Sequence, residues 1–272
     1  MNQPKWWQQL HWGEYFAELL GTALMIFIGL SAVVFNMGQG LPMEKLLPHS
    51  LRLLLTGLVF AGSGSLVAIS PLGKLSGGHL NPSISLAFLL QGKMHRHDFI
   101  AYVTAQFIGA IAGEFLLIKV WHSYAQSVNN GMTLPGKDYA MWYVFLAEVS
   151  IAFLLVLLIF IFVSTHALMR WTPLMTWIVV AMMVWLESPI SGTSLNPARS
   201  FAPALLSDTW RSQWLYMIAP PLGAIMGVIG FRLVTFGERE ILTGKLFHVP
   251  HYRCIFKNTM VSHQIKHLGK NK

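Results

Sequence analysis

Charged residues are scarce in this chain, because Asp, Glu, Lys and Arg make up only 11% of its 272 residues while hydrophobic residues make up 54%. Soluble domains carry about 25% charged residues, so this chain cannot cover a water-facing surface in the usual way. Lipid must therefore be its main solvent. The length is then better interpreted as a number of membrane spans of about 20 apolar residues each, and six spans fit it.

The residues that several other classes of function require are also absent from this sequence. A single cysteine, Cys254, excludes an internal disulfide and a multi-cysteine metal site. No basic stripe is interleaved with stacking aromatic residues, so the net charge of +8 does not indicate a nucleic-acid partner. No nucleophile stands beside a base, and no set of metal ligands converges on facing spans. We therefore expect no enzyme active site, no metal and no cofactor.

Six apolar runs are long enough to cross a bilayer. They cover about residues 14–36, 50–70, 98–121, 140–164, 171–188 and 213–236. Two shorter runs remain, at 81–91 and 196–206. At about 1.5 Å per residue neither can cross a hydrocarbon core about 30 Å thick, although each could cross half of it. Taken alone, either short run could equally be an ordinary loop or an interfacial helix.

The two short runs belong to copies of one repeated unit. Residues 76–85 read SGGHLNPSIS and residues 191–200 read SGTSLNPARS, with six of ten positions identical. Because each copy contains three full spans, an odd number, consecutive copies must cross the membrane in opposite directions. The sequence therefore predicts an all-α membrane protein with six transmembrane helices and two re-entrant half-helices in an inverted repeat.

The repeat divides the chain into five parts. They are an N-terminal segment (1–13), a first repeat (14–121), a connecting loop (122–139), a second repeat (140–236) and a basic tail (237–272). We expect the tail to be a flexible extension that touches anionic lipid. Thirteen of the 19 Lys and Arg residues fall on one side of this topology, which predicts cytoplasmic termini and an extracytoplasmic connecting loop. The thirteen are Lys5, Lys74, Lys93, Arg96, Arg170, Arg232, Arg239, Lys245, Arg253, Lys257, Lys266, Lys270 and Lys272.

Each short run begins with Asn-Pro, at Asn81-Pro82 and at Asn196-Pro197. Asn is a favoured N-cap and Pro suits the first helical turn, so the motif predicts a helix start at membrane depth. Two opposed helix N-termini would place partial positive charge near the midplane, which disfavours cations and protons. Water or an alcohol could still accept hydrogen bonds from the Asn amides and donate to the carbonyls of the preceding loops.

The paired motifs Asn81-Pro82-Ser83 and Asn196-Pro197-Ala198-Arg199, with Ser-Gly-Gly-His79 before the first, resemble those of the aquaporin, or major intrinsic protein, family. The resemblance covers roughly residues 12–236. It implies a six-helix bundle with two re-entrant half-helices, assembled as a homotetramer in the plasma membrane or bacterial inner membrane. It also implies passive passage of water, with small uncharged solutes as further permeants, and exclusion of protons and ions.

The same resemblance assigns a pore constriction. Arg199 corresponds to the family's constriction arginine, and Thr193 to a loop residue in the constriction wall. Water-selective members commonly carry His twelve residues before the second motif's Asn, where this chain has Val184. We therefore expect a wider and less polar neck. Phe60 is the expected aromatic residue from the second span, with the residue on either side of it as an alternative.

The permeant remains open at this point. Ser200 and Ala204 stand where the glycerol-conducting branch of the family typically has Asp and a basic residue, and this favours a water-type pore. The alternative is a facilitator of glycerol or another small solute with a widened filter.

Four carboxylates fall within the predicted spans. For Glu18 and Glu148, which occupy repeat-related positions, the resemblance implies hydrogen bonds to the re-entrant loops, and we expect His79 in the pore loop or inner vestibule. Glu114 and Glu187 have no repeat partner, and near span ends we expect them to be solvated or snorkelling. A proton-coupled transporter that uses the buried carboxylates is the alternative from another functional class.

Overall fold

A computed structural model describes residues 10–257 as a bundle of α-helices joined by loops. Six of the helices are long and apolar enough to cross a membrane. The helices are α1 Trp12–Met37, α2 Met43–Leu46, α3 His49–Ile69, α4 Pro71–Ser76, α5 Pro82–Leu90, α6 Arg96–Trp121, α7 Ser123–Ser127, α8 Met141–Val163, α9 Thr172–Ser191, α10 Pro197–Leu206 and α11 Gln213–Val234.

The predicted all-α fold is confirmed. The six spans are α1, α3, α6, α8, α9 and α11, and each begins and ends within three residues of the expected position. Four of the basic residues counted above, Lys5, Lys266, Lys270 and Lys272, lie outside the described residues, as do 1–9 of the N-terminal segment and 258–272 of the tail. The division into repeats and the orientation in the membrane stay predictions.

The two half-helices, α5 and α10, begin in the same way. Asn81 caps α5 by accepting a hydrogen bond from the N–H of Ser83, and Asn196 caps α10 by accepting from the N–H of Ala198 and of Arg199. The backbone before each cap has positive φ at repeat-related positions, among them Leu80 (φ 53°) and Leu195 (φ 58°). The shared sequence thus folds into one shared loop-and-cap conformation.

Corresponding helices of the two predicted repeats make corresponding contacts. In the first half α1 lies along α6, and in the second half α8 lies along α11, while α3 packs on α9 across the two halves. Small residues allow the close approach within each half, because a Cβ on Gly109 would collide with the carbonyl of Leu19 and one on Gly223 with that of Val149. Each half-helix also contacts the opposite half, α5 on α11 and α10 on α6. These crossed contacts bring the two helix N-termini together inside the bundle.

The expectation of a flexible tail is wrong for its described part. Four apolar residues of this segment, Ile241, Leu242, Leu246 and Phe256, are buried. Residues 241–256, called the docked tail below, fold back onto the end of the bundle where α1 begins and α11 ends. Basic residues that suggested a solvated extension alternate with these apolar residues along the tail. The tail docks because its apolar side chains are buried against the end of the bundle.

Candidate functional site

The two motif asparagines exchange hydrogen bonds across the centre of the bundle. The side-chain amide of Asn81 donates to the carbonyl of Leu195 over 2.9 Å, and that of Asn196 donates to the carbonyl of Leu80 over 2.9 Å. Each amide oxygen is already engaged by the first turn of its own half-helix. An amide group carries two N–H donors, so each Asn keeps a second N–H for a molecule passing between the helix starts.

Two buried glutamates hold the loops that lead to these asparagines. Glu18 accepts hydrogen bonds from the N–H groups of His79 and Leu80, over 3.0 and 2.7 Å. Glu148 accepts from the N–H groups of Ser194 and Leu195, over 2.6 and 3.1 Å. Each glutamate also accepts from the serine that opens its loop, Ser76 or Ser191. Each carboxylate therefore pairs loop N–H groups that would otherwise be buried without partners.

A single cavity of about 280 Å³ runs past the two asparagines and connects most of the predicted site residues. Seven of them line it: Phe60, His79, Asn81, Val184, Thr193, Asn196 and Arg199. The other six lie behind its wall. Glu18 and Glu148 hold the loops, Pro82 and Pro197 form the first turns of the half-helices, and Ser83 and Ala198 are buried beside them. The hydroxyl of Ser83 has no hydrogen-bond partner among the described residues.

Arg199 projects into the cavity from the first turn of α10. Its guanidinium donates to the carbonyl of Gly131 over 2.8 Å, and its Cζ atom lies 5.4 Å from the centre of the Phe60 ring. This cation–π contact and the hydrogen bond to the connecting loop fix the guanidinium from two sides. Val184 on α9 and Thr193 in the second loop line the same cavity. These four side chains therefore belong to one wall, which is assembled from four separate segments of the chain.

The positive charge of this wall adds to that of the two half-helices. Each helix N-terminus carries a partial charge of about half a unit, and both N-termini lie beside the cavity. A cation in the cavity would meet Arg199 as well as both helix dipoles. The arrangement can hydrogen-bond a neutral molecule while it repels a positive ion.

Two carboxylates that the sequence suggested to be solvated are buried instead. Glu187 is 8% exposed, and its Oε2 accepts a hydrogen bond from the hydroxyl of Thr193 over 2.5 Å. Glu114 is fully buried on α6, and neither of its carboxylate oxygens has a hydrogen-bond partner among the described residues. The expectation was wrong because both side chains face the interior of the bundle, and nearness to a span end does not reveal which way a side chain points.

His79 lies where the first re-entrant loop meets the docked tail. Its Nε2 donates to the carbonyl of Gly244 over 2.8 Å, and its ring stacks between Phe88 at 4.7 Å and Phe256 at 5.4 Å. The structure places His79 in the loop before Asn81, and its role in a pore stays a prediction, while its contacts with the tail were not expected from the sequence. The apolar residues of the tail form runs that are too short to signal docking in the sequence.

One group in the described part of the chain brings three possible metal ligands together. His11, His97 and Asp98 have ligand atoms within 4.8 Å of one another. Asp98 already accepts hydrogen bonds from His11 Nδ1 at 2.7 Å and from the Tyr15 hydroxyl at 2.5 Å. These bonds join the start of α1 to the start of α6 and account for the cluster as a structural anchor.

Comparison with known proteins places this geometry among related chains. The model of the family described as major intrinsic protein matches residues 5–231. Aquaporin NIP3-1 from Oryza sativa subsp. japonica is 30% identical over 212 residues, which are 78% of this chain and 64% of the rice protein, just under two thirds. Probable aquaporin NIP7-1 from Arabidopsis thaliana is 31% identical over 82% of this chain and 77% of its own length.

A bacterial relative and a solved structure extend the comparison. Glycerol uptake facilitator protein-like 6 from Lactiplantibacillus plantarum is 29% identical over 81% of this chain and 97% of its own length. The X-ray structure of the aquaglyceroporin from Plasmodium falciparum has a TM-score of 0.69 at 20% sequence identity, and the match covers 82% of this chain and 96% of that one. At 20% identity this structural similarity shows the fold alone.

Proposed function

The chain belongs to the major intrinsic protein family, and from that premise we propose that it is a passive membrane channel for water that also admits small uncharged solutes. The observation that carries this proposal is the reciprocal pair of hydrogen bonds from Asn81 and Asn196 beside one cavity that also contains Arg199. The two free amide N–H groups supply donors to a passing oxygen, while Arg199 and the helix N-termini repel cations and protons.

The composition of the neck supports a permeant set broader than water alone. Val184 contributes an apolar side chain at a position where a histidine ring would narrow the cavity. Among Phe60, Val184, Thr193 and Arg199, Phe60 alone carries a ring. Passage of neutral solutes is then limited by their size. We propose Phe60, Val184, Thr193 and Arg199 as the selectivity filter.

Coupled transport is less well supported. A carboxylate that carries a proton through a transport cycle must exchange it with water or substrate. Glu18 instead accepts four hydrogen bonds from fixed groups of the protein, and Glu148 accepts three. We propose that both are positioning residues of the loops and that the channel needs no ion gradient.

The proposed assembly rests on the family to which the chain belongs, and the proposed membrane location rests also on its exposed apolar surface. Lipid is the natural solvent of the many exposed apolar residues on the spans, such as Phe16, Trp142 and Leu233. We propose a homotetramer with one conduit in each subunit, located in the plasma membrane or bacterial inner membrane with cytoplasmic termini.

The proposal is tested by reconstitution in liposomes and stopped-flow light scattering after an osmotic step. With impermeant sucrose outside, vesicles that contain the protein should shrink faster than empty ones. With glycerol outside, shrinkage should be followed by re-swelling faster than in empty vesicles, because glycerol enters through the protein. Shrinkage at the empty-vesicle rate by the folded protein, both as wild type and in a variant whose docked tail is released, would contradict the channel. Fast shrinkage without re-swelling would restrict the permeant to water.

A further inference from the structure

The docked tail bonds to the re-entrant loop that leads to Asn81. The N–H of Leu246 donates to the carbonyl of Gly77 over 2.9 Å, and the carbonyl of Gly244 accepts from His79 Nε2 over 2.8 Å. Further along, the N–H of Lys257 donates to the carbonyl of Lys93 over 3.1 Å, beyond the end of α5. The tail therefore engages polar groups of the pore loop at the end of the cavity that lies nearest the termini.

Leu246 of the docked tail lines the same cavity as the asparagines and Arg199. Its side chain is 8% exposed and packs in one apolar cluster with Ile84, Leu155 and Ile159, which also line the cavity. None of these four side chains can donate or accept a hydrogen bond. An apolar constriction of this kind hinders passage by excluding water from the narrow stretch.

The docked position is held by a buried cation. The ammonium of Lys245 donates to the carbonyl of Lys74 over 2.5 Å and to that of Arg253 over 2.6 Å, and the residue is fully buried. Burial lowers the pKa of Lys245, so the docked position carries a desolvation cost that these two bonds must offset. Arg253 adds an ion pair to the buried Glu14 at 3.5 Å.

We propose that the docked tail closes the conduit from the side of the termini, with Leu246 as the closing residue, so that undocking of the tail raises the flux. The tail begins beyond residue 231, where the match to the family model ends. This inference rests on the proposed passive channel, because it concerns what limits flux through that same cavity.

Three variants of the full chain distinguish closure of the conduit by the tail from a tail that only packs against the bundle. Leu246→Ala removes the side chain that lines the cavity, and Lys245→Glu places an acceptor-only group against two carbonyl oxygens. Leu242→Ala is the matched control, because Leu242 is also a buried leucine of the docked tail but does not line the cavity. Water permeability is measured in liposomes with sucrose as the osmolyte, after each purified variant has been checked for a single monodisperse species.

The single cysteine supplies an independent readout of docking. Cys254 is half-buried within the docked tail, so its rate of reaction with a thiol reagent in detergent reports whether the tail is in place. We expect Lys245→Glu to raise this rate by at least about tenfold, the shift expected from losing one hydrogen bond to a charged group, and by more if both bonds are lost. We expect water permeability to rise several-fold in Lys245→Glu and Leu246→Ala, and clearly less in Leu242→Ala.

The outcomes distinguish this inference from the proposed function. Equal permeability of Leu246→Ala and Leu242→Ala, or faster labelling of Lys245→Glu without faster flux, overturns closure by the tail while a fast wild-type channel would stand. If wild type and all variants match empty vesicles although labelling shows the tail undocked, the proposed channel itself is contradicted.

Discussion

The hydroxyl of Thr193 donates to the buried carboxylate of Glu187 over 2.5 Å, so a residue of the cavity wall is fixed by a partner one helix turn before the loop begins. Thr193 has positive φ (50°), a backbone conformation that is uncommon for a β-branched residue. The bond to Glu187 is one of the contacts that hold this conformation. The wall of the conduit therefore depends on a carboxylate that does not itself line the cavity.

Thr193→Val should destabilise the protein by about 1–3 kcal/mol, because it removes the hydroxyl that pairs a buried carboxylate oxygen while it keeps the shape of the side chain. Thermal unfolding in detergent measures the effect. Thr193→Ser is the matched control and should unfold near the wild-type temperature, since it keeps the hydroxyl. A Val variant as stable as the Ser variant would show that the bond contributes nothing.

Glu18→Gln should destabilise the fold by roughly 1–3 kcal/mol for each donor left unpaired. The carboxylate accepts from Ser76, His79, Leu80 and Gln106, and an amide would turn a donor toward two of these four donors. Flux per reconstituted molecule should fall together with the unfolding temperature.

The control for this variant is Glu114→Gln, because Glu114 is equally buried but accepts no hydrogen bond among the described residues. Glu114→Gln should lower the free energy of unfolding by less than Glu18→Gln does. Loss of flux in Glu18→Gln at an unchanged unfolding temperature would argue against a positioning role and for coupled transport.

Val184→His should narrow the neck and lower glycerol permeability, while water permeability stays measurable. Val184 lines the cavity with Phe60, Thr193 and Arg199, so a larger polar ring would occupy the space through which a solute passes. A tenfold loss of glycerol flux would correspond to about 1.4 kcal/mol of added barrier. Re-swelling of liposomes in glycerol gives the rate.

Val184→Leu separates size from polarity in this experiment. If steric narrowing decides, the Leu variant should lose glycerol flux in the same direction as the His variant. Glycerol flux that is unchanged in a folded Val184→His would remove Val184 from the proposed filter.

Arg199→Val should admit protons. Among the described residues that line the cavity, Arg199 carries the one formal positive charge, and it lies beside the half-helix N-termini. A pH-sensitive dye inside liposomes follows proton influx after an external acid step. Arg199→Lys keeps the charge but not the planar fork that bonds Gly131 and stacks near Phe60, and should retain part of the exclusion. Proton influx equal to that of wild type in the Val variant would contradict the role proposed for Arg199.

Much of this molecule follows from local sequence. Asn-Pro specifies a capped helix start wherever it stands, because the Asn side chain and the fixed φ of Pro act within the first turn. The duplicated motif then required two such starts, and the odd number of spans in each copy required them to face each other. Phe60 was harder to assign from spacing, and its contact with Arg199 depends on how α3 packs.

The burial of Glu114 and Glu187 and the docking of the tail could not be obtained in this way. Lipid-facing and interior-facing positions of a span are both apolar, so hydropathy does not reveal which face is inside. On α6, Leu117 is fully buried while its neighbour Leu116 is 47% exposed. The same ambiguity hid the inward direction of Glu114 and Glu187.

The sequence by itself determined the six spans, the two half-helices and the identity of the paired asparagines, because each of these depends on apolar length, on helix capping or on the repeat. Only the tertiary structure decided that Glu187 bonds Thr193 and that Leu246 reaches the cavity shared by Asn81 and Arg199. These contacts join segments whose approach depends on how the whole bundle packs, and packing is a sum of many weak contacts that no short pattern encodes.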